Sequence, residues 1–224
     1  MAYYIDLFKI DLNDYQNSLI EADLLPSRRI LKEKMTERFE AFSTKGIKNL
    51  GELRLLLTSK KGYSGLLLNP VFSEEYLKIL LREINSMIPK PNKLKDFRSI
   101  GQDTQTKLEN EGIKDTLKLY DHIKTRDTRK KLGKRSELTS NELTIMASLT
   151  DLSRIKWVSA LFAEILLECN IYSSEILSNT DPVFLHQKIS ELNKDKQYFK
   201  GNIGKHDIVL IVESAKNVSH DVEF

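Results

Sequence analysis

The sequence predicts an all-α protein assembled from short helical hairpins. Three observations predict it. Apolar residues recur at helical spacing along most of the chain, and several of those stretches open on helix-capping residues. An eight-residue pattern also returns three times without gaps: "GIKNLGEL" at 46–53, "GIKDTLKL" at 112–119 and "NIYSSEIL" at 170–177. Each copy carries an apolar residue five positions before its isoleucine, namely Phe42, Leu108 and Leu166. Gly or Asn at the break suits a left-handed helix C-cap, and Ile47, Ile113 and Ile171 then plug the core between two helices.

The elements follow in order. The opening "MAYYIDLFKIDLNDY" has early acids and no long apolar run, so it is not read as a secretory signal. Pro26 in "LLPSRRIL" suits the first residue of a helix. "KKGYSGLLLNP" at 60–70 carries Gly, Ser, Asn and Pro and reads as a loop. Ser73 caps a helix with Glu74 and Glu75 in its first turn and a stripe of Leu77, Leu80, Leu81, Ile84 and Ile88. "IPKPNK" at 88–93 ends that helix and stiffens a linker. It divides the chain into an N-terminal helical domain, 1–92, and a C-terminal one, 93–224.

In the second part, "SIGQDTQTKLENEGIKDTLKLYDHI" at 99–123 reads as a turn, a short helix, a Gly-Ile break and a second helix. Thr139 and Glu142 have capping-box spacing ahead of Leu143, Met146 and Ala147. Val158, Leu161, Phe162, Ile165, Leu166 and Cys169 form another stripe, and Leu185, Ile189 and Leu192 a further one. Ile208, Ile211, Val212 and Ala215 share a helical face, so "HDIVLIVESAK" reads as helix rather than strand.

Composition narrows the function. With 224 residues the chain can bury a core without staples, and 35 basic against 32 acidic residues leave a net charge of only +3, which does not mark a strong polyanion binder. One cysteine excludes a disulfide framework and a multi-cysteine zinc site. Cys169 lies on an apolar stripe and reads as core. His122, His186, His206 and His220 show no metal-ligand spacing, so neither metal nor cofactor is expected. No stretch nears the ~18 apolar residues of a membrane span. A cytoplasmic protein without catalytic activity is the expectation, since no Gly-x-Ser-x-Gly or paired-carboxylate pattern is present. "GNIGK" lacks the four-residue gap and the following Ser or Thr of a nucleotide-binding loop.

The junctions resemble the helix-hairpin-helix family, in which a Gly-apolar-Gly turn joins two helices. "SIG" at 99–101 and "NIG" at 202–204 fit that turn with Ser99 and Asn202 in place of the first glycine. In the third repeat the turn falls on Trp157, Val158 and Ser159, with Ala163 at the small position four residues later. "LLPSR" and "LTDLSRIKWVSALFAEILLECNI" also look like a bacterial family of unknown function built from tandem helix-hairpin-helix-like units. The resemblance implies an all-α fold of such units. It also implies backbone binding of nucleic acid, DNA above all, through amides at the second helix's N-terminus, where the helix dipole is positive.

The amides so implicated belong to Ile100, Gly101 and Gln102, and to Ile203, Gly204 and Lys205, with Lys107 and Lys200 nearby. "KTRDTRKKLGKRSE" at 124–137 supplies the one dense basic run, including Arg129, Lys130, Lys131 and Lys134. Non-catalytic, sequence-independent binding to DNA is therefore the leading expectation. The alternative is a helical protein–protein interaction scaffold whose hairpins are structural only.

Overall fold

The computed structural model describes residues 3–224 and is all-helical; among these residues only two isolated β-bridges occur. The chain forms two compact units, Asp6–Met87 and Ile88–Phe224, with Tyr3–Ile5 belonging to the second. Among the described residues, no helix is long and apolar enough to cross a membrane.

The first unit holds α1 (Leu12–Glu21), α2 (Met35–Thr44), α3 (Leu50–Thr58), α4 (Lys60–Leu67) and α5 (Glu74–Ser86). Pro26 opens a 3-10 segment, Pro26–Lys32, rather than an α-helix. Its core stacks aromatic rings: Phe42 on Phe72 at 4.8 Å between centroids, and Phe72 on Tyr76 at 6.1 Å. Arg38 is buried among them, its guanidinium 3.8 Å from the Tyr76 ring centre, and donates to the carbonyls of Ile30, Glu33 and Val71. Those three acceptors offset the desolvation of a buried charge.

Residues 60–70 are not the loop their composition suggests. Ser59 ends α3 by donating its amide to Leu55 O, then starts α4 by accepting from the Gly62 amide at 2.9 Å. Gly62 acts as a spacer, not a breaker: a Cβ there would sit 2.4 Å from Leu56 O. Only glycine lets α4 fold back this closely.

The second unit contains α6 (Gln102–Asn110), α7 (Thr116–Ile123), α8 (Arg126–Ser136), α9 (Ser140–Leu152), α10 (Ala160–Glu168), α11 (Ser174–Ser178), α12 (Pro182–Lys196) and α13 (Lys205–Ala215). Every residue of α9 from Met146 to Leu152 is buried, as expected of a helix surrounded by others. It packs on α7, α8 and α10, while α13 packs on α11 and α12.

The three repeats make the same junction. Gly46, Gly112 and Asn170 take left-handed backbone angles, φ 82°, 76° and 63°. Each closes a Schellman motif: the amides of Ile47, Ile113 and Ile171 donate to Phe42 O, Leu108 O and Leu166 O at 3.2, 2.9 and 2.9 Å. Two residues later, Asn49, Asp115 and Ser173 cap the next helix through the amides of Glu52, Lys118 and Ile176.

The amide following each cap is also satisfied. Leu50 donates to Ile10 O and Thr116 to Asn92 O, which creates the two bridges; at the third junction the Ser174 amide donates instead to the Asp151 carboxylate at 2.7 Å. A buried side chain thus replaces a passing backbone strand. Ile113 and Ile171 are buried, whereas Ile47 is only half-buried, so it does not plug a core as the repeat predicts. There the larger Phe42, fully buried, stands in place of Leu108 and Leu166.

Asp151 belongs to a cluster that ties the termini of the second unit together. Arg154, 2% exposed, donates to Asp151 and Asp221 carboxylates at 2.8 and 3.2 Å and to the carbonyls of Tyr3 and Ser219. Its guanidinium also lies 4.8 Å from the Tyr120 ring centre.

Candidate functional site

The turn before α6 is the first place to look for a phosphate site. Gly101 is the N-cap with φ −63° and no side-chain cap, and a Cβ added there would meet nothing within 4 Å. The first-turn amides of α6 have no intrahelical partner, Ile100 is buried beside them and Gln102 is exposed.

Carboxylates crowd that turn. The amide and hydroxyl of Ser99 both donate to Glu164, at 2.6 and 2.7 Å. The Thr104 hydroxyl donates to Glu142 at 2.7 Å. Hydroxyls of Thr139 and Thr104, and the Thr139 amide, hold the Glu142 carboxyl down to about 2, so it stays charged at neutral pH. Asp103 stands in the first turn itself and pairs with Lys107 at 2.8 Å, which occupies that lysine.

A phosphate at the turn would meet the Glu142 and Glu164 carboxylates, the Asp103 charge being matched by Lys107. A like charge at about 4 Å opposes it by about 1 kcal/mol even in water. The helix dipole contributes roughly 0.3–1 kcal/mol in favour. Repulsion is the larger effect.

The turn before α13 differs in detail. Gly204 has φ −70°, so its backbone makes no demand for glycine; the left-handed residue is Gly201, φ 90°. The Gly204 amide donates to the Asp207 carboxylate at 3.2 Å, which fills the position a phosphate oxygen would take. Ile203 is half-buried and its carbonyl meets His186 Nε2 at 2.9 Å. Lys200 and Lys205 are exposed.

The basic run is helical. α8 buries Arg129, whose guanidinium donates to Ile123 O at 2.6 Å, so Arg129 holds the α7–α8 corner and does not face a ligand. Arg135 pairs with Glu111 at 3.1 Å. Lys130, Lys131 and Lys134 share one exposed stripe and form no ion pair among the described residues. Of the twelve residues singled out by the sequence, these three stand together as accessible cations. Among the described residues no group of three or more His, Cys, Asp or Glu could hold a metal.

Of these acids, Asp103 is visible in the sequence as a first-turn residue of α6 that repels phosphate, whereas Asp207, Glu142 and Glu164 were not read as neighbours of the turns. Asp207 stands three residues after Gly204, at capping-box spacing, and was legible there. Glu164 lies 65 residues from Ser99, and nothing local announces that contact.

The pattern of a family described as "Domain of unknown function (DUF4332)" matches residues 98–218, more than half of the chain. The chain belongs to this family. The DUF4332 region covers α6 to α13 and so contains two of the three repeated junctions, together with both glycine turns and the α8 stripe. Searches of curated proteins and of solved structures found no match.

Proposed function

We propose that this chain is a non-catalytic helical scaffold that docks a protein partner, and that its helix-hairpin-helix-like junctions serve as structural joints. One observation carries the reading: the turns that would clamp a phosphate are lined or closed by the protein's own carboxylates, Glu164, Glu142 and Asp103 at one and Asp207 at the other.

A second reading rests on α8. Lys130, Lys131 and Lys134 would give weak, sequence-independent, salt-sensitive contact with DNA backbone. Fluorescence anisotropy with a labelled duplex at low salt separates a phosphate clamp at the turns from contact through the α8 stripe, and absence of any binding leaves the scaffold reading alone. Gly101→Val and Gly204→Val add side chains at the two turns, where φ of −63° and −70° admits them; at Gly204 the new Cβ sits 3.1 Å from the Asp207 carboxylate. The scaffold reading expects both variants to match the wild type, and any residual binding to vanish when the three lysines become glutamine. Loss of tight binding in either glycine variant would overturn it.

A further inference from the structure

Residues 219–224 run without helix or turn through a groove between the α7–α8 corner and the end of α9. Two acids of this segment have defined seats. Asp221 Oδ1 accepts from the Tyr120 hydroxyl at 2.6 Å and from Arg154 at 3.2 Å, and the same guanidinium holds the Ser219 carbonyl and hydroxyl. Glu223 donates its amide to Lys124 O at 2.9 Å, while its carboxylate accepts from the Arg126 amide, which opens α8, at 3.0 Å. Val222 between them packs against the core. Lys124, Arg126, Arg129 and Arg154 lie around these seats, against Asp151 and, on the outer flank, Glu175. The groove therefore suits two acids separated by one apolar residue.

The hold on this segment is almost wholly polar. Val218, just before it, is buried, whereas residues 219–224 are each half-buried or exposed. Asp221 Oδ2 is buried without a donor among the described residues, so part of the segment's desolvation is not recovered. An open cleft of about 960 Å³, with Tyr172 and Ile176 in its lining, leaves the outer flank uncovered. A stretch with few buried apolar contacts opens at a lower free energy than the core beneath it. Groove and occupant also differ in kind. Tyr120, Lys124, Arg126, Asp151 and Arg154 lie within the DUF4332 region, and the segment that fills the groove lies beyond it.

Resting on the scaffold reading, we propose that residues 219–224 are an autoinhibitory strap lying in the scaffold's own docking groove. The partner that displaces the strap presents a non-helical segment of the same chemistry. It brings one acid for Arg154 and Tyr120, an apolar residue, and a second acid for the first amide of α8. Strap and partner compete for one groove, so the partner's apparent affinity is scaled by the fraction of molecules whose strap is open. The acids discriminate, because a carboxylate makes charge-assisted bonds at both seats and a carboxamide does not.

The test is a ¹⁵N–¹H NMR titration of the full chain with acetyl-Ser-His-Asp-Val-Glu-Phe-amide, which copies the strap. In the wild type, millimolar peptide should release the Glu223 amide from Lys124 O and move its cross-peak to an unbonded position. A chain carrying Asp221→Asn and Glu223→Gln keeps the strap's shape without its charges, and should bind the peptide about tenfold tighter than the wild type. The same peptide with asparagine and glutamine for its acids should bind that variant about tenfold more weakly, the effect of one lost charge-assisted bond. The wild-type displacement decides the matter if the variant fails to fold by circular dichroism. A Glu223 amide that stays in place, equal affinity of wild type and variant, or equal affinity of the two peptides would overturn the proposal. A wild-type dimer by sedimentation would give the groove to a second copy and overturn it as well. If the proposal falls while Gly101→Val and Gly204→Val leave DNA binding unchanged, the scaffold reading survives without this groove. DNA binding lost in those variants removes the reading itself.

Discussion

Truncating Ile113 to alanine probes the junction where it does most work. Ile113 is 2% exposed and sits immediately after the Schellman turn that closes α6. The change removes three carbons, about 2.4 kcal/mol at roughly 0.8 kcal/mol per buried methylene. The cavity left behind adds to this, so about 3 kcal/mol is expected in total. The backbone is untouched, because the bond to Leu108 O comes from the Ile113 amide. Ile171→Ala should cost a similar amount. Ile47→Ala should cost about 1 kcal/mol, since a half-exposed side chain regains less transfer energy and water refills its place. Urea unfolding followed by fluorescence of Trp157, the sole tryptophan, reports on the unit that holds Ile113 and Ile171. Circular dichroism follows Ile47→Ala. A loss under about 1 kcal/mol for Ile113→Ala, or equal losses at Ile47 and Ile113, would refute the reasoning.

Two further outcomes follow from backbone angle and protonation. Gly112→Ala, at φ 76°, should cost about 1–2 kcal/mol, whereas Gly101→Ala, at φ −63° in open space, should leave stability within about 1 kcal/mol or raise it; thermal melts of the two variants check this. Glu142 is held down to about 2 by the Thr139 and Thr104 hydroxyls and the Thr139 amide. Its folded pKa lies below its unfolded one, so its contribution is present above pH about 4.3 and is lost as pH falls through about 2. Glu142→Gln should flatten the fall in stability across that window, read as urea midpoints at successive pH values.

The helices and their junctions were legible because their causes are local. Apolar spacing, Ser73, Thr139 and the Gly-Ile pattern all act within one or two turns of helix, and each capped or closed a helix as its chemistry requires. Residues 60–70 misled because Gly62 reads as a breaker in isolation; its use depends on how near Leu56 O comes. The site was less legible for the same reason. Lys130, Lys131 and Lys134 are exposed on one stripe, but whether a turn amide welcomes a phosphate depends on Glu142 and Glu164, brought in from 38 and 65 residues away. Arg129 shows the same limit, since a cation within a basic run turned inward to a carbonyl of the preceding helix.

The claim that these junctions are joints rather than phosphate clamps is tested most directly at the turn amides themselves. A ¹⁵N–¹H spectrum of the full chain, titrated with duplex DNA at low salt, reads Gly101 to Thr104 and Gly204 to Asp207 individually. The account predicts that these amides stay in place, with any movement confined to Lys130, Lys131, Lys134 and their neighbours on α8. Saturable shifts at Gln102, Asp103 and Thr104, or release of Gly204 from Asp207, would contradict it.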